Sequence, residues 1–207
     1  MITKNPLKRV VLVNGIPASG KSTLTRALSQ RFGWPILTLD SLKEPFMACF
    51  APVDRQRNRQ LGCAAYQAIW NIVGQAPASQ IWLIDAWFGF QPRALLEQGL
   101  QQAGVGAVLE LWMQITPEEA VARYQARLTQ RLPGHPGAEY LPELHQLAQQ
   151  AQPMALGPVL PVNTVAQDEA AVTRWLQQQL ERNSYTSPQC PTIEELQDVI
   201  TPLSANR

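Results

Sequence analysis

Cysteine and histidine are scarce in this chain. Among 207 residues there are three cysteines, Cys49, Cys63 and Cys190, and two histidines, His135 and His145. The cysteines are odd in number and none has Cys-x-x-Cys or other metal-ligand spacing, which argues against a disulfide framework or a Cys/His zinc site and fits reduced thiols. Charge is sparse too. Charged residues make up 16% of the chain and the formal net charge is +1, so there is no broad basic footprint for long nucleic acid, and only a local basic groove stays open. No apolar run approaches a membrane span, and no signal-peptide apolar segment precedes the first strand, so a cytoplasmic location without a membrane partner is expected. Internal repeats are absent, and so is the Asn-Lys-x-Asp tetrapeptide that reads guanine, which argues against a GTPase. What remains is a chain with 45% hydrophobic residues, long enough for one medium α/β domain with its own core.

The most informative stretch runs from Val10 to Thr23. Val10-Val11-Leu12-Val13 is a short β-branched run that predicts a buried strand. It ends at Gly15, and Gly15-x-x-x-x-Gly20-Lys21-Ser22 has the spacing of a phosphate-binding P-loop. Glycines let the backbone turn successive N–H groups inward as an anion nest, and the helix that follows adds its positive end. Gly15, Ala18, Ser19, Gly20, Lys21, Ser22 and Thr23 are therefore the expected nucleotide-binding residues. Lys21 would place a charge on the β- and γ-phosphates of ATP, and Ser22 would ligate Mg²⁺.

Downstream, strands and helices alternate. A helix over 22–32 is stopped by Gly33; a strand over 36–39 ends at Asp40, where Ser41 can cap a helical turn through Leu42–Phe46. A long helix over 54–75 opens with Arg55, Arg57 and Arg59, read as a solvated face or, less simply, as a grip on an anionic substrate. Its Tyr66 and Trp70 read as core. A third strand, 81–85, ends at Asp85; residues 86–91 form a loop, and Pro92 suits the first turn of the next helix. A strand over 108–113 precedes a helix start with Thr116 as cap, Pro117 at its first position and Glu119 at its third. Arg123, Arg127 and Arg131, spaced i, i+4, i+8, would share one face of that helix. Breaks at Pro133-Gly134-His135-Pro136-Gly137 end it. A helix near 139–150, a strand at 159–162 whose Pro161 suits a sheet edge, and a helix over 170–180 complete the body. The division expected is a domain over 1–182 and a tail over 183–207 with a helical segment at 193–200, a place for a partner or a second copy. Such alternation predicts a parallel sheet with helices on both faces and a ligand at the carboxyl ends of the strands, where Gly15, Asp40 and Asp85 converge.

The P-loop with Val11–Gly15 before it, Leu39-Asp40-Ser41-Leu42, Ile84-Asp85, and the arginine stretch ending in His135-Pro136-Gly137 together resemble the small P-loop kinases similar to chloramphenicol phosphotransferase. Gluconate kinases and zeta-toxin kinases are looser relatives. The likeness covers most of residues 8–165. It implies an α/β P-loop NTPase three-layer fold, a mainly parallel five-stranded sheet, and an arginine-bearing lid at about 123–137. It also implies that Asp40 is the acid that accepts the proton of a substrate hydroxyl.

The residues allow more than one role each. Asp40 could orient an attacking hydroxyl and take its proton, or only cap a helix. Asp85 could serve Mg²⁺, the substrate or only its loop. Arg127 and Arg131 could stabilise the transferring phosphoryl group and Arg123 could touch the nucleotide; alternatively the three form a solvated face, with Glu119 paired to Arg123. Trp87, Phe88 and Phe90 could wall an acceptor pocket or pack against a helix. His135 reads as a lid-surface residue. The leading expectation is an ATP- and Mg²⁺-dependent kinase acting on a hydroxyl of a small molecule. A kinase for a nucleotide sugar or a nucleic-acid 5′ end, and a nucleotide-binding regulatory ATPase module, are the alternatives.

Overall fold

The computed structural model describes residues 7–163 and 169–185. Five strands form one parallel sheet in the order β2-β3-β1-β4-β5, with β1 Arg9–Asn14, β2 Ile36–Thr38, β3 Ile81–Ala86, β4 Ala107–Gln114 and β5 Val159–Asn163. Among the described residues seven α-helices surround it: α1 Lys21–Phe32, α2 Leu39–Cys49, α3 Arg55–Gln75, α4 Arg93–Gln102, α5 Pro117–Gln125, α6 Leu141–Gln150 and α7 Glu169–Tyr185. The α/β expectation holds.

β1 is central, and Val10, Val11, Leu12 and Val13 are all fully buried, because a strand covered on both faces needs apolar side chains in both directions. Val10 and Leu12 face a core made with Ile69, Trp70 and Val73 of α3 and Leu96 and Leu100 of α4. Val11 and Val13 face Leu24 and Leu28 of α1 and Val172 and Leu176 of α7. A third cluster, Ile16, Ala120, Tyr124 and Leu144, joins α5 and α6 above the loop after β1. Pro161 sits in β5, an edge strand, where its missing N–H costs no ladder bond on the outer side.

Helix ends follow local chemistry. Gly33 closes α1 at φ 70°, its N–H bonded to Ser29 O at 2.8 Å. Asp54 caps α3 by accepting from Arg57 N at 2.7 Å, and Thr116 caps α5 by accepting from Glu119 N at 3.2 Å. Other boundaries differ from the sequence reading. Thr38, not Ser41, caps α2: its hydroxyl accepts Ser41 N at 2.9 Å, so the helix begins earlier and Asp40 lies in its first turn rather than at a strand tip. Pro92 is the cap of α4 rather than a first-turn residue, and a 3₁₀ turn, Phe88–Phe90, shapes the loop after β3. α5 stops at Gln125, and a 3₁₀ turn over Leu128–Gln130 follows. The three arginines therefore do not share one helix: Arg127 and Arg131 flank the 3₁₀ turn, whose Leu128 packs on the third cluster. α7 runs through Tyr185, beyond the helix expected over 170–180, while the helical segment expected at 193–200 and Cys190 lie outside the described residues. Cys49 and Cys63 are free thiols. Among the described residues, no helix is long and apolar enough to cross a membrane.

One buried acid ties these parts together. Glu110 of β4 is fully buried, and its carboxylate accepts from Asn14 Nδ2 at 2.7 Å, Met154 N at 2.9 Å and Ala155 N at 2.8 Å. Asn14 Oδ1 in turn accepts Phe88 N at 3.1 Å. Replacing Glu110 with Ala strands these donors in a dry interior, each at a cost of about 1–3 kcal/mol. We expect Glu110→Ala to lower unfolding stability by about 3 kcal/mol or more, measured by urea titration, with Glu110→Gln losing less because its amide oxygen still accepts.

Candidate active site

The turn from β1 into α1 is shaped by backbone that only a few residue types tolerate. Ala18 and Gly20 lie at φ 68° and 86°, and left-handed residues in this turn aim N–H groups inward as a nest. A Cβ on Gly15 would come within 2.8 Å of Met113 Cβ and 2.7 Å of Ser19 Oγ, so glycine lets the loop pass this close to the end of β4. Ser19 Oγ is buried with no partner among the described residues. The open N-terminal turn of α1 adds its own N–H groups and partial positive charge. Lys21 lies across the loop, its ammonium donating to Gly15 O at 2.8 Å and Ile16 O at 2.9 Å. Desolvation pulls the Lys21 pKa down; Asp85 and Asp40 offset part of this, and Arg127 and Arg131 add to it.

Asp85, buried at the end of β3, accepts the Ser22 hydroxyl at 2.7 Å. Burial pushes the Asp85 pKa up, against the pull of Lys21 and the Ser22 hydrogen bond. A hydroxyl and a carboxylate side by side, next to an anion nest, form a donor set that suits a hard divalent cation such as Mg²⁺.

Asp40 sits in the first turn of α2, where the helix end favours a negative charge. Its half-exposed carboxylate pairs with the buried Lys43 ammonium at 3.2 Å. Desolvation raises the Asp40 pKa, but Lys43, by charge and hydrogen bond, together with His135 and Arg131, wins, and the carboxyl titrates below its usual range. His135 is not on the lid surface as expected. Its side chain is 2% exposed, with Nε2 2.9 Å from Glu44 Oε1 and Nδ1 2.8 Å from Arg131 Nη2. Ligand atoms of Asp40, Glu44 and His135 lie within 4.8 Å of one another, a spacing metals use. Here Lys43 and Arg131 already neutralise the group, so we do not assign it a metal.

Two cavities flank this centre. One, of about 670 Å³, is bounded by the loop residues Pro17, Ala18 and Gly20, by Thr23 of α1, and by Arg127 and Arg131. The other, of about 390 Å³, is bounded by Trp87, Phe90, Tyr124, Tyr140, Asn58 and Arg59. They share Pro17, Lys21, Ser22, Asp40 and Asp85.

Two residues singled out in the sequence fall elsewhere. Arg123 bonds to Glu119 and borders neither cavity, since an i, i+4 acid on the same helix meets it first. Phe88 is 1% exposed and packs edge-on against Tyr66 in the core, because Asn14 captures its backbone N–H and draws the residue inward. Trp87 and Phe90 reach the smaller cavity; Tyr66 and Trp70 are core, as read. The sequence reading missed Lys43, Glu44, Tyr124 and Tyr140. The first two follow Asp40 by three and four positions, a signal available once α2 is known to begin at Leu39; the two tyrosines gave no local signal.

Residues 10–156 match the family model AAA_33, described as an AAA domain. No curated protein matches the sequence. Among solved structures, the chain is similar to a candidate kinase from Chloroflexus aurantiacus, with TM-score 0.72 and 24% identity over 84% of this chain and 98% of that one. A gluconokinase from Sinorhizobium meliloti gives 0.53 and 18%, covering 88% and 100%. A shikimate kinase from Bacteroides thetaiotaomicron gives 0.54 and 16%, covering 84% and 98%. At these identities the likeness establishes a shared P-loop fold.

The tight approach of Gly15 to β4 is directly testable. Gly15→Ala should weaken ATP binding at least about tenfold, near 1.4 kcal/mol, in isothermal titration.

Proposed function

Since the chain belongs to the AAA_33 family of AAA domains, we propose that it is an ATP-dependent kinase that transfers a phosphoryl group to a hydroxyl of a small molecule. The observation that carries this reading is the meeting of two cavities at Lys21, Ser22, Asp40 and Asp85. A donor held by the loop and an acceptor held under Trp87 and Phe90 would face each other across Asp40. A regulatory nucleotide switch has no need of the second cavity. The kinase names carried by solved structures of the same fold are consistent with this assignment. Within the family, Leu39-Asp40-Ser41-Leu42 and the His135-Pro136-Gly137 break favour kinship with the chloramphenicol phosphotransferase-like kinases.

The residues divide the work by position. The nest after β1 and the N-terminus of α1 bind the phosphates, and Lys21 counters the charge on the outermost of them. Ser22 and Asp85 would hold Mg²⁺, which supplies further charge neutralisation at the phosphate oxygens. Arg127 and Arg131 approach from the opposite wall and offer donors to the equatorial oxygens as negative charge spreads over them. Asp40 accepts a hydrogen bond from the acceptor hydroxyl, orients it for in-line attack, and takes its proton as the new P–O bond forms. Its lowered pKa keeps it ionised at neutral pH, so protonation of Asp40 limits turnover only in strong acid. The mixture of Trp87, Phe90, Tyr140, Asn58 and Arg59 suits a compact hydroxylated molecule with both an apolar face and polar substituents.

Asp40→Asn should bind ATP within about twofold of the parent and lose roughly 100-fold or more in kcat. Release of ADP across a library of hydroxyl compounds, with Lys21→Ala as the blank, identifies the acceptor and supplies the assay. Undiminished transfer by Asp40→Asn would remove the carboxylate from the mechanism.

A further inference from the structure

Arginine has no hydrogen-bond acceptor, so its contact with an imidazole fixes the ring's protonation. Arg131 Nη2 lies 2.8 Å from His135 Nδ1, which makes Nδ1 a bare lone pair and puts the ring proton on Nε2. That proton faces Glu44 Oε1 at 2.9 Å. The result is a directed chain from α2 to the lid segment: carboxylate, imidazole, guanidinium. We propose that His135, oriented by Glu44, is a positioning residue that aims the Arg131 guanidinium into the larger cavity. This rests on the phosphotransfer reading above.

Three observations support it independently of sequence resemblance. First, Arg131 follows the end of α5 and the 3₁₀ turn at Leu128–Gln130, so regular helix backbone does not hold it. Second, its guanidinium stands over the Tyr124 ring at 4.7 Å, and the Tyr124 hydroxyl bonds to Pro136 O at 2.8 Å, next to His135. The ring fixes the plane of the guanidinium and the imidazole fixes its rotation within that plane. Third, the cations Lys21, Lys43 and Arg127 surround this position. Like charges would drive an unanchored arginine toward solvent, and the neutral imidazole acceptor retains it through one directed hydrogen bond.

The arrangement also makes Arg131 sensitive to acid. Facing His135 are Asp40, Lys43 and Glu44 from α2 and Arg131 from the lid segment. Burial, Lys43 and Arg131 hold the imidazole pKa below 6.5, against Asp40 and Glu44. As pH falls through that value, Nδ1 gains a proton, the acceptor disappears, and an imidazolium confronts a guanidinium.

The test combines kinetics with ring-nitrogen NMR. His135→Ala should lower kcat about 100-fold through misplacement of Arg131, with KM for the acceptor unchanged. His135→Asn, whose Oδ1 can stand where Nδ1 stood, should recover most of that loss and remove the imidazole ionisation from the acid side of the kcat profile. The His135→Ala/Arg131→Ala double variant should be no slower than Arg131→Ala alone. In a His145→Gln background, the single remaining imidazole should carry its proton on Nε2 and titrate at higher pH after Arg131→Ala. A proton on Nδ1, a kcat for His135→Ala within twofold of the parent, or multiplicative losses in the double variant would overturn the proposal. Should no hydroxyl compound be phosphorylated, the phosphotransfer reading fails, while the nitrogen spectra still decide whether the chain of contacts exists.

Discussion

A single carboxylate beneath the crevice sets the geometry above it. Glu110 has no exposure, yet it is satisfied by three N–H groups, one from the end of β1 and two from consecutive residues of the connection into β5. Through Asn14 it also fixes where the chain leaves β3, because the same amide that donates to Glu110 accepts from Phe88. The P-loop starts one residue after Asn14 and the aromatic wall one residue before Phe88. Buried polar groups of this kind carry a large penalty when incomplete, so the loops they tether have one well-determined origin. The variable parts of the site are built outward from that fixed base.

Charge in the crevice is arranged rather than merely abundant. Lys21, Lys43, Arg127 and Arg131 outnumber Asp40, Glu44 and Asp85, which leaves a positive field suited to an anion although the chain as a whole is nearly neutral. Each acid has its own donor: Asp40 has the Lys43 ammonium, Asp85 has the Ser22 hydroxyl and, at longer range, Lys21, and Glu44 has the His135 imidazole N–H. The pairings hold Asp40 ionised while burial pulls Asp85 the other way, so two carboxylates that border the same cavities are tuned apart by their surroundings.

Much of this was legible in the sequence, and what was not has identifiable causes. The strand-loop-helix at Val10–Phe32 could be read because glycine spacing and apolar runs are local properties, and Gly33 and Thr116 act on their immediate neighbours. Strand alternation gave the parallel sheet for the same reason. The misreadings at the site involve contacts between distant segments. Thr38 and Ser41 are both competent caps, and only the register of β2 against β3 decides that the strand ends at Thr38. The helical face expected for the arginines failed because Leu128 is claimed by a cluster built from Ile16 and Leu144. Phe88 was indistinguishable from Trp87 and Phe90 until Asn14, 74 positions earlier, took its N–H. His135 looked like a surface residue because its partner Glu44 lies 91 positions away.

The shared wall between the two cavities has a stereochemical consequence. If donor and acceptor occupy separate chambers that touch only at Lys21, Ser22, Asp40, Asp85 and Pro17, each can enter without displacing the other, and the phosphorus moves once, directly from one oxygen to the next. Such a layout implies a ternary complex rather than a phosphorylated enzyme. A chiral phosphorus centre would then emerge with its configuration inverted.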